Sequence, residues 1–318
     1  MTTKAFKFST FAFVLAAGLM TACSSDDDDN NVTPQEAPRL ISVEVSEQPL
    51  ASESAQARDA DTRAPITTTA TLAEFSMHGV YMSTSSNYTV SNYTVKKTNE
   101  VWGLTPDTWP EVGNNDVHFY AHTAGDFYTN SGNAYVSFKV DENAFSQHDL
   151  LVAEKTVAYN TDPENVGNVS LYFRHACAAV AFSVKMTNTL STSQLLNGKT
   201  LTVNSIKLHN VRNSGKYNFN TGWYEVQYQK INGVEQKSVY TLTNSDFTVS
   251  TDAQPLSSNY LFMIPQERAA NGTNDMYLEV NYTFQGQTKT QAIIPLTVNW
   301  EAGKEYDIEI KLGTTLIQ

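Results

Sequence analysis

Apolar and polar residues alternate along most of this chain, and the alternation begins at its first strand-like stretch. Ile41, Val43 and Val45 fall on one side and Ser42 and Glu44 on the other, the period of two expected of a half-buried strand, with Leu40 extending its apolar edge. From Ser46 to Thr62 the pattern stops. That run has no apolar periodicity and no aromatic side chain, so it predicts an exposed, protease-accessible loop. A strand that precedes the body on such a tether can be removed, and its loss would uncover an apolar groove.

From Ile66 onward, short alternating runs follow one another. They include Ala70–Tyr81, Asn87–Val90, Asn92–Val95, Val117–His122 and Tyr135–Val140. The longest, Val169–Lys185, is apolar enough to be covered on both faces, and its small residues Ala176 to Ala179 allow a close backbone approach or a short turn. The polar stretch Thr187–Gly198 is the expected boundary between domains. Beyond it come Leu201–Leu208, Gly215–Asn220, a run ended by Pro265, a hairpin across Gln285-Gly286-Gln287, and Tyr306–Leu312. Many short strands, few helix signals and two similar halves predict an all-β fold of two tandem antiparallel β-sandwich domains, 39–186 and 187–318. The first includes a removable first strand in segment 39–63.

The N-terminus adds a destination. Residues 1–23 have a basic start at Lys4 and Lys7 and an apolar run from Phe11 to Met20, the pattern of a secretion signal. The sequence Met20-Thr21-Ala22-Cys23 resembles the bacterial lipobox, which makes Cys23 the expected lipidation site. Residues 24–38 form an acidic, polar tether whose consecutive Asp26–Asp29 repel one another. No later stretch reaches the roughly 20 apolar residues of a transmembrane helix, so the lipid is the expected anchor. The other cysteine, Cys177, lies in an apolar run and is expected as a buried free thiol. A formal net charge of −12 argues against nucleic acid or an anionic membrane surface as a partner.

Candidate chemistry is sparse. No GxSxG, HExxH, CxxC, phosphate-loop or dinucleotide fingerprint occurs, and nothing points to an enzyme or a cofactor. His118 and His122 share a strand face, but a metal there would need a third ligand such as Asp116 or Asp126, so an ordinary polar sheet face is expected. Trp102, Trp109, Trp223 and Tyr224 could stack on sugars, with packing as the simpler expectation.

Several short motifs, in order over most of the chain, carry a resemblance. They are Met20–Cys23, Arg63-Ala64, Trp109-Pro110 before Val117–His122, and Asp149–Glu154 before Leu171–Ala176. Further on come Ile206–Leu208 with Gly215–Tyr217, Met263–Gln266 and Trp300–Tyr306. In this order they resemble the fimbrillin family, the lipoprotein-derived pilins. The resemblance implies two transthyretin-like sandwiches and an assembly route. An outer-membrane lipoprotein precursor, held by lipid on Cys23, is cut by an arginine-specific protease and loses the strand containing Leu40, Ile41, Val43 and Val45. It then accepts a strand from another pilin subunit in the cell-surface fimbrium. Arg63 matches the cleavage position; Arg58 in the same loop is the alternative, whereas Arg39 precedes the strand. The shaft pilins' extra C-terminal strand has no counterpart after Leu312, where Gly313-Thr314-Thr315 is a poor strand start. A tip or accessory pilin is therefore expected, with a host glycan or protein as a receptor for adhesion. The alternative reading is a monomeric surface lipoprotein that keeps its first strand and binds glycan or host protein.

Overall fold

The computed structural model describes residues 41–52, 71–84, 87–110, 116–130, 133–143, 146–158, 167–192, 200–243, 245–257, 260–267, 276–284 and 287–313. Among them it is an all-β protein with one four-residue helix, α1 (Asn188–Ser191), capped by the Thr187 side chain. The first strands are β1 (Ile41–Glu47), β2 (Ala51–Ser52), β3 (Glu74–Thr84), β4 (Asn87–Thr98), β5 (Val101–Thr105), β6 (Val117–His122), β7 (Asp126–Asn130) and β8 (Asn133–Lys139). There follow β9 (Leu151–Val157), β10 (Gly167–His175), β11 (Ala178–Met186), β12 (Leu201–Val211), β13 (Ser214–Asn218), β14 (Gly222–Gln227), β15 (Gln229–Ile231) and β16 (Val234–Gln236). The last are β17 (Ser238–Thr243), β18 (Phe247–Thr248), β19 (Gln254–Pro255), β20 (Leu261–Met263), β21 (Tyr277–Phe284), β22 (Gln287–Pro295) and β23 (Lys304–Leu312).

Seven strands form the first sheet, in the order β1-β10-β9-β6-β3-β4-β5. One apolar core is built from this sheet and its flanking residues alone. Ile41, Val43, Phe75, Met77, Tyr93, Val95, Val117, Phe119, Leu151, Val169, Leu171 and Phe173 are all buried in it. A sheet can enclose a core of its own residues only by curling around it, and the alternation of buried and exposed positions supplies the inward face. The outward face is not wholly free: Val80, Tyr120, Leu150 and Val152 belong to a second, larger core.

That second core joins the first sheet to three others, β19-β11-β23-β2 with β20 beside β11, β17-β12-β21-β22 with β18 beside β12, and β14-β13-β8-β7. Two of these sheets cross the division expected at 186/187. β8 pairs with β13, and β11 pairs with β23. The reason is apolar surface. Ala134, Val136 and Phe138 on β8 and Ala178 to Phe182 with Val184 on β11 are buried, and a first sheet curled on its own core cannot cover them, so later strands do. The pairing is also mixed rather than purely antiparallel: β1 with β10, β11 with β23, and β2 with β23 run parallel. The stretch 169–185 breaks into two strands at Ala176-Cys177, where the chain leaves one sheet for the next.

Buried polar groups secure that crossing. The Ala176 N–H donates to the Leu150 carbonyl (2.8 Å), the Gly303 N–H to the Cys177 carbonyl (3.0 Å), and the Trp223 indole N–H to the Ala176 carbonyl (2.6 Å). Beside them His175 Nδ1 bonds the Asp149 carboxylate, both side chains almost fully buried. Cys177 is a buried free thiol whose pKa is pushed well up by burial and by the neighbouring Asp149 carboxylate, so it is chemically quiet.

Candidate functional site

β1 completes the first sheet. It pairs in parallel along β10 from Ile41 opposite Gly167 to Glu47 opposite Phe173. Its period-2 pattern sends Ile41 and Val43, 5% and 7% exposed, into the core with Val45 half-buried behind them. The other side faces solvent, where the Ser42 hydroxyl donates to Asn168 Oδ1 (3.4 Å) and the Ser170 hydroxyl to Glu44 Oε2 (3.1 Å). At its start the Ile41 N–H donates to the carbonyl of Asp107, just beyond β5 (2.9 Å), and after its end the Gln48 N–H donates to the Phe173 carbonyl (2.8 Å). β1 therefore bridges the two ends of the curled sheet, β10 on one side and the β5 end on the other.

Beside β1, Val169, Leu171 and Phe173 of β10 point into the same core, with Trp102, Leu104 and Trp109 partly buried against it. Phe75 contacts both Trp102 and Phe173, with ring centroids 5.3 and 5.0 Å apart, and Trp109 meets Phe119 edge-on at 5.4 Å. Burying an Ile or Val side chain contributes about 1.5–3 kcal/mol, an upper estimate because unfolded chains are partly collapsed. Without β1 this floor would be an open apolar slot flanked by unpaired backbone groups, a surface that calls for cover.

The chain then crosses to a second edge. The Ala51 N–H donates to the Gly303 carbonyl (2.9 Å), and β2 runs parallel to the start of β23. Residues 41–52 thus seal one sheet and lie on the rim of another. Leu40, Arg58, Arg63 and Cys23 lie outside the described residues. Arg58 and Arg63 fall between Ser52, where the description stops, and Thr71, where it resumes.

The other candidates separate clearly. His118 Nδ1 bonds the Thr156 hydroxyl (3.0 Å), while His122 turns to His78 of β3, their Nε2 atoms 3.0 Å apart. His122 Nδ1–H also donates to the Ala124 carbonyl (3.0 Å), and the His78 ring stacks on Phe127 of β7 at 4.0 Å. No cluster of three metal-ligating side chains occurs among the described residues. Trp102 and Trp109 pack in the first core. Trp223 turns inward against Phe138 and Tyr217, so all three tryptophans pack, and Tyr224 alone of the four lies outward. Sequence reading missed the His78–His122 pair, whose members are 44 residues apart, and β2, which is too short to leave a pattern.

The histidine pair gives a pH prediction. Burial holds His122 down at about 4, with His78 adding to the effect and the Ala124 bond and Asp126 opposing it; burial also lowers His78 against its bond to Asn92. The facing nitrogens bond only when one carries a proton and the other does not. A folded-state pKa below the unfolded value of about 6.5 means that the unfolded chain takes up more protons in that window. The stability that comes from the neutral ring is full above pH 6.5 and is lost as pH falls through about 4. The melting temperature should drop across this range, and His122→Phe should flatten that part of the profile in a thermal-melt series.

A family model described as fimbrillin-like matches residues 62–318, which leaves β1 and β2 outside the match. No curated protein matches significantly. Among solved structures, a candidate cell adhesion protein from Bacteroides ovatus is 15% identical, covering 86% of this chain and 92% of its own, with a TM-score of 0.48. A candidate adhesin from Bacteroides thetaiotaomicron is 12% identical, covering 90% and 94%, at 0.44. A fimbrial protein from Bacteroides ovatus is 10% identical, covering 87% of this chain and 50% of its own, at 0.37.

Proposed function

We propose that this chain, which belongs to the fimbrillin-like family, is a pilus-type subunit that keeps its own first strand only until proteolysis releases it, and then takes a strand of another subunit into the same slot. Family membership makes it a non-enzymatic protein of the cell surface that associates with other pilin subunits. The observation that carries the exchange step is the position of β1. It is paired along one neighbour only, is apolar on its inner side, and covers a core that the rest of the sheet cannot close.

Three further steps belong to the same reading. Lipid on Cys23 holds the precursor at the outer membrane. An arginine-specific protease cuts after Arg63, or after Arg58 in the same loop. The released segment carries β2 away with β1, so the β23 edge opens together with the slot. Strand addition then restores main-chain hydrogen bonds along β10, and alternate side chains refill the positions of Ile41, Val43 and Val45. β23 stays paired along β11 of its own subunit, which suits an acceptor more than a donor and fits a tip or accessory position with an adhesive role toward a host glycan or protein.

Digestion of the folded chain with an arginine-specific protease tests the cut. N-terminal sequencing should find a resistant body that starts at Ala64, and Arg63→Ala should shift the start to Asp59. A folded chain that resists the protease, or is cut within the sheets, would count against this reading.

A further inference from the structure

Strand parity divides the sheet β14-β13-β8-β7 into two faces. Phe127, Val136, Phe138 and Tyr217 face the larger core, so the residues between them point outward. Register aligns Tyr128 with Tyr135 across β7 and β8, and in the next row Asp126 with Ser137 and Lys216. The Tyr128 and Tyr135 rings stack at 5.4 Å, and Tyr224 meets Tyr135 nearly at right angles at 6.0 Å. Lys216 Nζ sits 5.4 and 5.8 Å over Tyr135 and Tyr224 and is bound to Glu225 at 2.7 Å. Tyr128 is 48% exposed, a large aromatic ring offered to solvent on a rigid sheet.

This aromatic strip runs into a pocket of about 380 Å³. Its polar lining comes from Asp126, Ser137, Lys139, Asp141, Ser146 and His148. A cavity of that size takes a small ligand or one unit of a longer one. Gly125 at its wall has a φ of +83°, and a Cβ there would meet the Ser137 carbonyl oxygen at 2.6 Å, so the backbone comes closer to β8 than any other residue allows.

We propose that this face binds a neutral oligosaccharide, with one pyranose ring stacked on the open face of Tyr128, which Tyr135 backs from the other side, and the next placed in the pocket. A pyranose has an apolar C–H face and a rim of hydroxyls. The first suits the tyrosine rings, which are stiff and lose little freedom on contact. The second suits carboxylates, which accept two hydroxyls each. Charge selects a neutral ligand: Lys216 is already paired with Glu225, and two carboxylates face one lysine in the pocket of a chain of net charge −12, so an anionic sugar is repelled. The inference names a ligand class for the adhesive role proposed above and rests on that role, but not on strand exchange.

The test uses the full chain on an array of neutral, sialylated and sulfated oligosaccharides, with a deglycosylated host glycoprotein alongside. Binding of neutral glycans is expected, weakened about tenfold by Tyr128→Ala and retained in Tyr128→Phe. Asp141→Asn, at an exposed position, supplies a second loss without touching the core. Melting curves should be unmoved by all three variants. Neutral-glycan binding that Tyr128→Ala and Asp141→Asn leave unchanged, binding of anionic glycans alone, or no glycan binding by the full chain would each overturn the proposal. Binding of the deglycosylated protein without any glycan binding would also overturn it, yet would leave an adhesive role directed at protein.

Discussion

Val43→Asp is expected to expel β1 from the first sheet without any cut. Val43 is 7% exposed and sits in the first core, which takes in Val169 and Leu171 of β10. An unpaired carboxylate there loses its water and gains no partner, a cost of several kcal/mol that exceeds what the remaining contacts of a seven-residue strand supply. The rest of the sheet is joined by pairings that do not involve β1, so the body should stay folded while the slot opens. In a protease-accessibility assay, Arg39 and the loop arginines should become equally easy to cut. A labelled peptide of residues 39–47 should bind the uncut variant, whose own β1 no longer fills the slot, and should not bind the uncut parent chain. Ser42→Ala, one residue away on the solvent side, should shift stability by no more than about 0.5 kcal/mol. Equal effects of the two substitutions would contradict the register.

Asp149→Ala should cost the fold about 3–5 kcal/mol, because removing one member of a buried pair strands the other. Asp149 and His175 side chains are 1% and 2% exposed, and they join the start of β9 to the end of β10 where the chain passes between sheets. Burial raises the Asp149 pKa, and the bond to His175 works against that rise. Thermal melts should fall by roughly 10 °C for a chain of this size. Asp149→Asn keeps the shape and one acceptor oxygen, so its loss should be smaller. A melt shifted by under about 1 °C in Asp149→Ala would show that the pair does not secure the crossing.

The contrast between these two sites shows what the sequence could and could not reveal. Ile41, Val43 and Val45 were legible because a strand writes its burial as a period of two, and the apolar side of β1 is the side that is buried. Its partner was not legible: parallel pairing with Gly167–Phe173 joins segments 126 residues apart, and periodicity carries no information about which edge a strand seeks. Two sheets cross the 186/187 boundary for a related reason. A polar linker marks where the chain is exposed, whereas sheets are partitioned by which apolar faces still need cover, as β8 and β11 show. The hairpin β15–β16 had a local signal, Asn232-Gly233 with both residues at positive φ, but its short polar strands hid it. Asp149 and His175, or His78 and His122, carry no pattern because each residue is ordinary until the fold brings its partner near. The outward tyrosines lay within recognisable strands, yet their common face depends on a register between β7, β8 and β13 that only the structure supplies.

Strand replacement itself is the most direct thing to measure. Protein trimmed to begin at Ala64 would be mixed with a labelled peptide of residues 39–47, and incorporation followed by fluorescence anisotropy. The account predicts saturable, one-to-one uptake that displaces the severed native segment and disappears when the peptide carries aspartate in place of Val43. A trimmed body that takes up no native peptide, or takes up the native and aspartate peptides alike, would contradict it.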